Sequence, residues 1–199
     1  GTLSDDHGHG VDTLNGTKVT FDQIIVTVTD IVLPSGQSFP VPKVDKDSKD
    51  IVIPQYVPAG VYTIFYTICE KLNPTNCSSA VITITVKAPK IVAQDDTIAG
   101  GNGTIGNPNA GNVLNNNGNG NDTLNTVNVT IDQVNLTVTT PATSIGGAPV
   151  PVISTTTGQV SVPVGTPGGT YTIVYSICDK LNPTNCDSGT VTIKVTCDT

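Results

Sequence analysis

From Tyr62 to Cys69 apolar and polar positions alternate with a period of two. Tyr62, Ile64, Tyr66 and Ile68 share one face, and Thr63, Phe65, Thr67 and Cys69 share the other. Strict alternation is the mark of a half-buried strand, and the Tyr/Ile face is the expected core. The next stretch places Ile82, Ile84 and Val86 inward, with Thr83 and Thr85 outward. Both patterns return later. Tyr171, Ile173, Tyr175 and Ile177 repeat the first, and Val191, Ile193 and Val195 repeat the second. Weaker alternation predicts strands at 19–29, 41–45 and 50–54, and again at 127–139, 149–154 and 159–164. Half-buried strands at roughly 8–12-residue spacing predict an all-β chain built as an antiparallel sandwich.

The recurrence extends beyond hydropathy. YTIFYTICEKLNPTNC at Tyr62–Cys77 returns as YTIVYSICDKLNPTNC at Tyr171–Cys186, an offset of 109 residues. Asp12-Thr13-Leu14-Asn15 and Asp22-Gln23 return at Asp122-Thr123-Leu124-Asn125 and Asp132-Gln133, an offset of 110. One residue is lost between the blocks, and two tandem copies of one domain explain both offsets. The sequence therefore predicts one Ig-like repeat at 1–87, a linker at 88–90 and a second repeat at 91–199. Pro89 stops a strand and stiffens the junction. The stretch Ile91–Gly111 has no counterpart before Gly1, so the first repeat is expected to lack its opening strand. With no Met, the sequence reads as a segment of a longer array.

Composition strengthens the β reading. Thr, Val and Ile supply 31, 26 and 18 of the 199 residues, and all three are β-branched. This argues against a helical bundle and against disorder. No apolar run approaches the roughly 18 residues of a membrane helix, so no direct membrane insertion is expected. Charge narrows the partners. There are 15 Asp and one Glu against nine Lys and no Arg, for a formal net charge of −7. A nucleic-acid partner needs a basic face, which this chain lacks. Without Arg, phosphate clamping is also disfavoured.

Cys69 and Cys77 bracket the EKLNPTN turn, and Cys178 and Cys186 bracket DKLNPTN. Strand parity puts both members of each pair on the outward face, where they can meet across a hairpin. Asn73-Pro74 and Asn182-Pro183 are turn formers at its tip. The competing reading is a metal site, but two cysteines per copy with no nearby His cannot close a zinc site. Disulfides imply an oxidising compartment. Cys197 has no partner in the pattern.

Two Asp/Asn-Gly loops are candidate Ca²⁺ sites. Asp5, Asp6 and Asp12 fall in the first. Asn115, Asn117, Asn119 and Asp122 fall in the second. Ca²⁺ takes six to eight oxygens, and glycine lets a chain wrap them. The alternative is a solvated turn, which Asn and Gly form unaided. Asp95 and Asp96, after the linker, are a third candidate, with an exposed strand end as the alternative. Asp45, Asp47 and Asp50, interleaved with Lys46 and Lys49, read as a solvated loop. His7 and His9 align with Asn117 and Asn119, so they are not part of the repeat design. No enzyme is expected: each copy repeats a single carboxylate, Asp22 or Asp132, which is not an acid/base pair.

The hairpin string, together with Asn121-Asp122-Thr123-Leu124-Asn125 and Ala93-Gln94-Asp95-Asp96, resembles the immunoglobulin-like or cadherin-like tandem repeats of large Bacteroidetes cell-surface proteins. The SprB-like gliding-motility adhesins are the family of comparison. The resemblance implies type IX export and display on the cell surface. It also implies O-glycosylation at Asp-(Ser/Thr)-apolar triplets, which Asp12-Thr13-Leu14, Asp96-Thr97-Ile98 and Asp122-Thr123-Leu124 fit. The function expected is a structural shaft of a surface adhesin, with neighbouring repeats of the same chain as partners. The alternative is a module that binds a surface polysaccharide. That role needs a row of exposed aromatics, but the chain has only five Tyr and three Phe, four of the Tyr are assigned to the core, and neither Tyr56 nor Phe39 recurs between the copies.

Overall fold

The computed structural model describes every residue except Pro34, Asp198 and Thr199. The described residues form strands and turns with no helix, as the β-branched composition requires. Two compact units divide the chain, Gly1–Ala88 and Pro89–Thr199.

The first unit contains β1 (Thr13–Leu14), β2 (Thr17–Lys18), β3 (Ile24–Thr29), β4 (Lys43–Val44), β5 (Ile51–Val52), β6 (Gly60–Glu70) and β7 (Cys77–Val86). One sheet runs β3-β6-β7 and a second pairs β4 with β5. Leu3, Ile64, Tyr66 and Ile82 are buried between them, backed by Val26, Val28, Val44 and Ile51. Tyr66 and Ile64 come from the predicted core face, whereas Phe65 on the other face is 56% exposed.

The second unit contains β8 (Ile91–Val92), β9 (Asp96–Asn102), β10 (Asn107–Asn112), β11 (Thr123–Leu124), β12 (Val127–Asn128), β13 (Val134–Thr140), β14 (Val152–Ile153), β15 (Gln159–Val162), β16 (Gly169–Asp179) and β17 (Cys186–Thr196). Its main sheet runs β13-β16-β17-β9, and its facing sheet runs β10-β15-β14. Tyr171, Ile173, Tyr175 and Ile177 from one sheet meet Ile153, Val160 and Val162 from the other in one core. This is an Ig-like antiparallel β-sandwich. In both units the first tyrosine of the long strand, half-buried in the first unit and buried in the second, reaches back four residues. Tyr62 Oη donates to the Pro58 carbonyl at 2.8 Å, and Tyr171 Oη donates to the Pro167 carbonyl at 2.8 Å. That tether is of the tyrosine-corner kind.

Three departures from the sequence expectation have local causes. The strands expected at 19–29 and 127–139 are each interrupted by a turn. Gln23 N donates to Thr20 O and Gln133 N donates to Thr130 O, while each glutamine Oε1 accepts from the same threonine's N–H. The strands expected at 41–45 and 50–54 shrink to β4 and β5, because Pro40, Pro42 and Pro54 lack ladder donors. Last, one pair is parallel: Asp96–Asn102 runs beside Val191–Thr196, with a register shift near Val195. Two glycines permit that approach. A Cβ on Gly100 would lie 3.0 Å from both Ile193 Cγ2 and Val195 Cγ2, and one on Gly103 would lie 1.9 Å from the Thr166 carbonyl oxygen.

Candidate functional site

Each unit carries the same covalent hairpin. Cys69 faces Cys77 across β6 and β7, and Cys178 faces Cys186 across β16 and β17. Both pairs are disulfide-bonded, with Cα atoms 4.1 Å apart. The turn closes through Asn76 N donating to Asn73 O, and Asn185 N donating to Asn182 O, both at 2.8 Å. In the second unit the buried Asp179 carboxylate also accepts from Leu181 N and Asn182 Nδ2, at 2.9 and 2.7 Å. Cys197 is an exposed free thiol.

The two Asp/Asn-Gly loops share one geometry. Asp6 Oδ1 accepts from Gly8 N and Gly10 N, at 2.8 and 2.9 Å. Asn116 Oδ1 accepts from Gly118 N and Gly120 N, each at 3.0 Å. An amide does the same work as a carboxylate here, so the loop is closed by the chain's own donors. Asp5 is spent separately: Oδ2 accepts from Thr2 N at 2.7 Å and Oδ1 pairs with Lys18 Nζ at 3.0 Å. These donors hold the Asp5 carboxyl down at about 2. His7 Nε2 lies 2.9 Å from the Thr2 carbonyl. Asp5, Asp6 and Asp12 therefore face different partners.

The second loop leads into a buried cluster. Asp122 and Asp96 are 0% and 2% exposed, and the Tyr175 ring between them is 0% exposed. Tyr175 Oη lies 3.0 Å from Asp122 Oδ2 and 3.5 Å from Asp96 Oδ2. The Gln94 and Val113 carbonyls also reach it, at 3.0 and 3.2 Å. Four acceptors thus converge on a hydroxyl with one proton to give. A proton on a carboxyl resolves the conflict, because a protonated Asp96 or Asp122 donates to the tyrosine oxygen. Burial pushes the Asp96 carboxyl up to about 7 despite the Asn117 amide, and the charge of Asp122 adds to the rise. Burial likewise pushes Asp122 up to about 6, against the pull of the Gln94 N–H. Desolvation and the two neighbouring carboxylates raise the Tyr175 phenol as well.

Asn117 Nδ2 donates to Asp96 Oδ1 at 3.0 Å and to the Asn112 and Asn115 carbonyls, which ties the loop to the head of β9. Asn119 Nδ2 donates to the Asp95 carbonyl at 2.8 Å, while Asp95 Oδ1 turns away to Thr190 N. Of the sequence-selected set, Asp96, Asp122 and Asn117 come together. Asp95, Asn115 and Asn119 surround them without adding a side-chain oxygen. Among the described residues no three His, Cys, Asp or Glu side chains gather as a cation would require. In the first unit only part of the cluster exists. Tyr66 Oη donates to both Asp12 oxygens, at 3.0 and 2.9 Å, and burial with this bond raises the phenol to about 12.

Sequence reading assigned Tyr66 and Tyr175 to the core and missed their hydroxyls, although a buried phenol needs a polar partner. It also missed Gln94, whose N–H donates to Asp122 Oδ1 at 2.7 Å, and Asp187, which accepts from Ala93 N at 2.9 Å. Neither residue is repeated between the copies, so the repeat pattern carried no signal for them.

No protein-family model matches this chain, and no curated protein matches it. Among solved structures it is similar to the human desmocollin-1 ectodomain, at 13% identity and a TM-score of 0.40, with 87% of this chain and 33% of that one covered. It is also similar to Drosophila N-cadherin EC1–4, at 16% identity and a TM-score of 0.37, covering 87% and 41%. A protocadherin gammaB7 EC3–6 cis-dimer structure aligns at 11% identity and a TM-score of 0.39, covering 87% and 42%. The chain thus spans about a third to two-fifths of these ectodomains.

Proposed function

We propose that the chain is a two-repeat segment of the tension-bearing shaft of an extracellular adhesin, of the kind displayed by gliding-motility adhesins. The observation that carries this reading is the parallel pairing of β9 with β17. The first long strand and the last strand of the second unit point the same way. Tension on the chain then pulls β9 from its N-terminal end and β17 from its C-terminal end. The strands are driven past each other, and their ladder bonds are loaded together instead of one by one. An antiparallel terminal pair would peel from one end. The repeated hairpin disulfides support the same reading, because they lock the far end of each long hairpin and belong to an oxidising, extracellular setting.

The finer parts of the proposal are cell-surface display and contact with neighbouring repeats of the same chain. A stiffening Ca²⁺ at the Asp/Asn loops is not part of it, because the ion would compete with Lys18 for Asp5, with glycine N–H groups for Asp6, and with Tyr175 for Asp96 and Asp122. Polysaccharide binding is the second reading, favoured by Tyr56 and Phe65, which are 75% and 56% exposed. Their counterparts are Gly165 and Val174, so binding of this kind is confined to the first unit.

Single-molecule pulling through the chain termini tests the shaft reading. The second unit should rupture at the higher force, because β7 of the first unit has no parallel partner among the described residues. Rupture of the second unit at or below the force of the first would overturn it. Saturable binding of surface polysaccharide to the first unit would favour the second reading instead.

A further inference from the structure

The chain contains four Asn-Gly dipeptides: Asn15-Gly16, Asn102-Gly103, Asn117-Gly118 and Asn119-Gly120. In such a pair the glycine nitrogen and the asparagine side-chain carbon can close a five-membered imide, and glycine has no Cβ to crowd the attack. The four pairs differ in how the glycine N–H is used. Gly118 N and Gly120 N both donate to Asn116 Oδ1 at 3.0 Å. Gly103 N donates to the Thr196 carbonyl at 2.9 Å, and Gly103 is buried. Gly16 N has no acceptor among the described residues. The asparagine side chains divide in the same way. Asn117 Nδ2 donates to Asp96 Oδ1 and to two carbonyls, Asn119 Nδ2 donates to the Asp95 carbonyl, and Asn102 Oδ1 accepts from Thr104 N. The Asn15 side chain is exposed and has no partner among the described residues.

We propose that Asn15 is a deamidation site, and that the Asn116 amide shields Asn117 and Asn119 from the same reaction. The deprotonated Gly16 nitrogen attacks the side-chain carbon of Asn15. A carbon–nitrogen bond forms to the backbone, the bond to the side-chain nitrogen breaks, and ammonia leaves. Water then opens the cyclic imide at either carbonyl and leaves aspartate or isoaspartate at position 15. Nothing is oxidised or reduced. The attacking nitrogen must lose its proton and swing toward the neighbouring side chain. An N–H already donated to an acceptor does neither until that bond and its loop open. Asn15 and Gly16 form the tip of the β1–β2 hairpin, at φ 50° and 77°. The matching turn of the second unit is Asn125-Thr126, where a β-branched side chain crowds the same attack.

Shielding matters most at Asn117. Its amide donates to Asp96, and a carboxylate in its place would set a third acid against Asp96 and Asp122. In the first unit Asp6 Oδ1 holds Gly8 N and Gly10 N in the same cage, but His7 and His9 precede those glycines, so no asparagine there is at risk. At Asn15 the damage is local. Isoaspartate adds one carbon to the backbone of a two-residue turn and disturbs the register that presents Lys18 to Asp5.

The full chain is aged at pH 8 and physiological temperature in heavy-oxygen water, and every Asn-Gly site is followed by peptide mapping. Isoaspartate is scored by labelling with isoaspartyl methyltransferase. Asn15 should convert at least about tenfold faster than Asn102, Asn117 and Asn119, taking up heavy oxygen and giving isoaspartate among its products. Gly16→Thr, which copies the second unit's turn, should suppress the reaction, and Thr126→Gly should make Asn125 reactive. Asn116→Ala should speed conversion at Asn117 and Asn119 by about tenfold, whereas Asn116→Asp should keep both shielded, as Asp6 holds its own glycines. Hydrogen exchange reads the same shielding without a substitution: the Gly118 and Gly120 amides should exchange at least about tenfold more slowly than that of Gly16, each relative to its unstructured rate. Conversion of Asn117 or Asn119 as fast as Asn15 would overturn the proposal, as would an unchanged rate at Asn15 in Gly16→Thr. Equal protection of the three glycine amides would overturn the shielding. The pulling experiment above reads the second unit and is independent of this result.

Discussion

Lowering the pH from 8 to 5 should stabilise the second unit, the reverse of the usual acid response. The cause is the Asp96–Tyr175–Asp122 cluster. A carboxyl whose folded pKa lies above its unfolded value binds a proton more readily in the folded state, so stability falls as pH rises through that interval. Asp96 moves from 3.8 to about 7, and Asp122 from 3.8 to about 6. At about 1.36 kcal/mol per pH unit, Asp96 contributes roughly 3 kcal/mol between pH 8 and pH 5, and Asp122 adds about 1 kcal/mol. If the pair shares one proton the total is nearer 3 than 4 kcal/mol, on the order of a third of a typical domain's stability. Opposing groups act lower down. In the second unit Asp132 is an exposed carboxylate held below its ordinary value by hydrogen bonds, while Asp5, Asp6, Asp22, Asp45 and Glu70 are lowered in the same way in the first unit only. Their stabilisation is present above the unfolded pKa and is lost as pH falls through the folded one. The optimum for the second unit therefore sits near pH 4–5. Urea titrations of the full chain, read by residue-resolved NMR, separate the units. Asp96→Asn keeps the acceptor for Asn117, offers an N–H to the tyrosine oxygen and removes the titration. It should raise stability at pH 8 by about 2–4 kcal/mol and flatten most of the slope. Stability of the second unit that is level or falling from pH 8 to 5 would refute the reasoning, as would an Asp96→Asn variant with the full slope.

Other expectations follow from single features. Asn15-Gly16 and Asn125-Thr126 form matching two-residue hairpin turns, and Thr126 is held at φ 68°, where a β-branched residue is strained. Thr126→Gly should stabilise the second unit by about 1 kcal/mol in urea denaturation, and a loss would contradict the turn assignment. Replacing Cys178 and Cys186 together by Ala should cost about 2–3 kcal/mol, measured the same way, and no loss would show that the hairpin closes unaided. Thermal unfolding in EDTA and in millimolar Ca²⁺ should agree within about 1 °C, since an ion must bind the folded state to raise Tm and the chain's own donors already occupy these carboxylates. A saturating rise of several degrees would instead assign the Asp/Asn loops to an ion.

The long strands were legible because each side chain reports its face. Tyr171, Ile173, Tyr175 and Ile177 are all buried, and their period-two pattern is visible without a structure. The hairpin cysteines followed from the same parity. The parallel strand was not legible. Asp-Thr-Ile-Ala-Gly-Gly-Asn has two glycines and a weak alternation, and its partner lies about 95 residues away. The carboxyl cluster was half legible. Asp96, Asp122 and Asn117 were selected as oxygen donors to an ion, and their meeting point is a tyrosine hydroxyl contributed by a strand whose pattern spoke only of core. Strand ends at 19–29 and 127–139 were lost to a glutamine side chain that copies a backbone acceptor. Hydropathy carries no trace of that contact.

The most direct test of the shaft reading compares two directions of pull on the second unit. Cys197 is an exposed thiol beyond the end of β17 and serves as one handle. A second handle at Lys90→Cys loads β9 from its N-terminal end and shears the pair. A second handle at Thr104→Cys loads it from its C-terminal end and peels the pair. If parallel pairing carries tension, the first geometry should require a rupture force several times that of the second. Equal forces in the two directions would contradict the account.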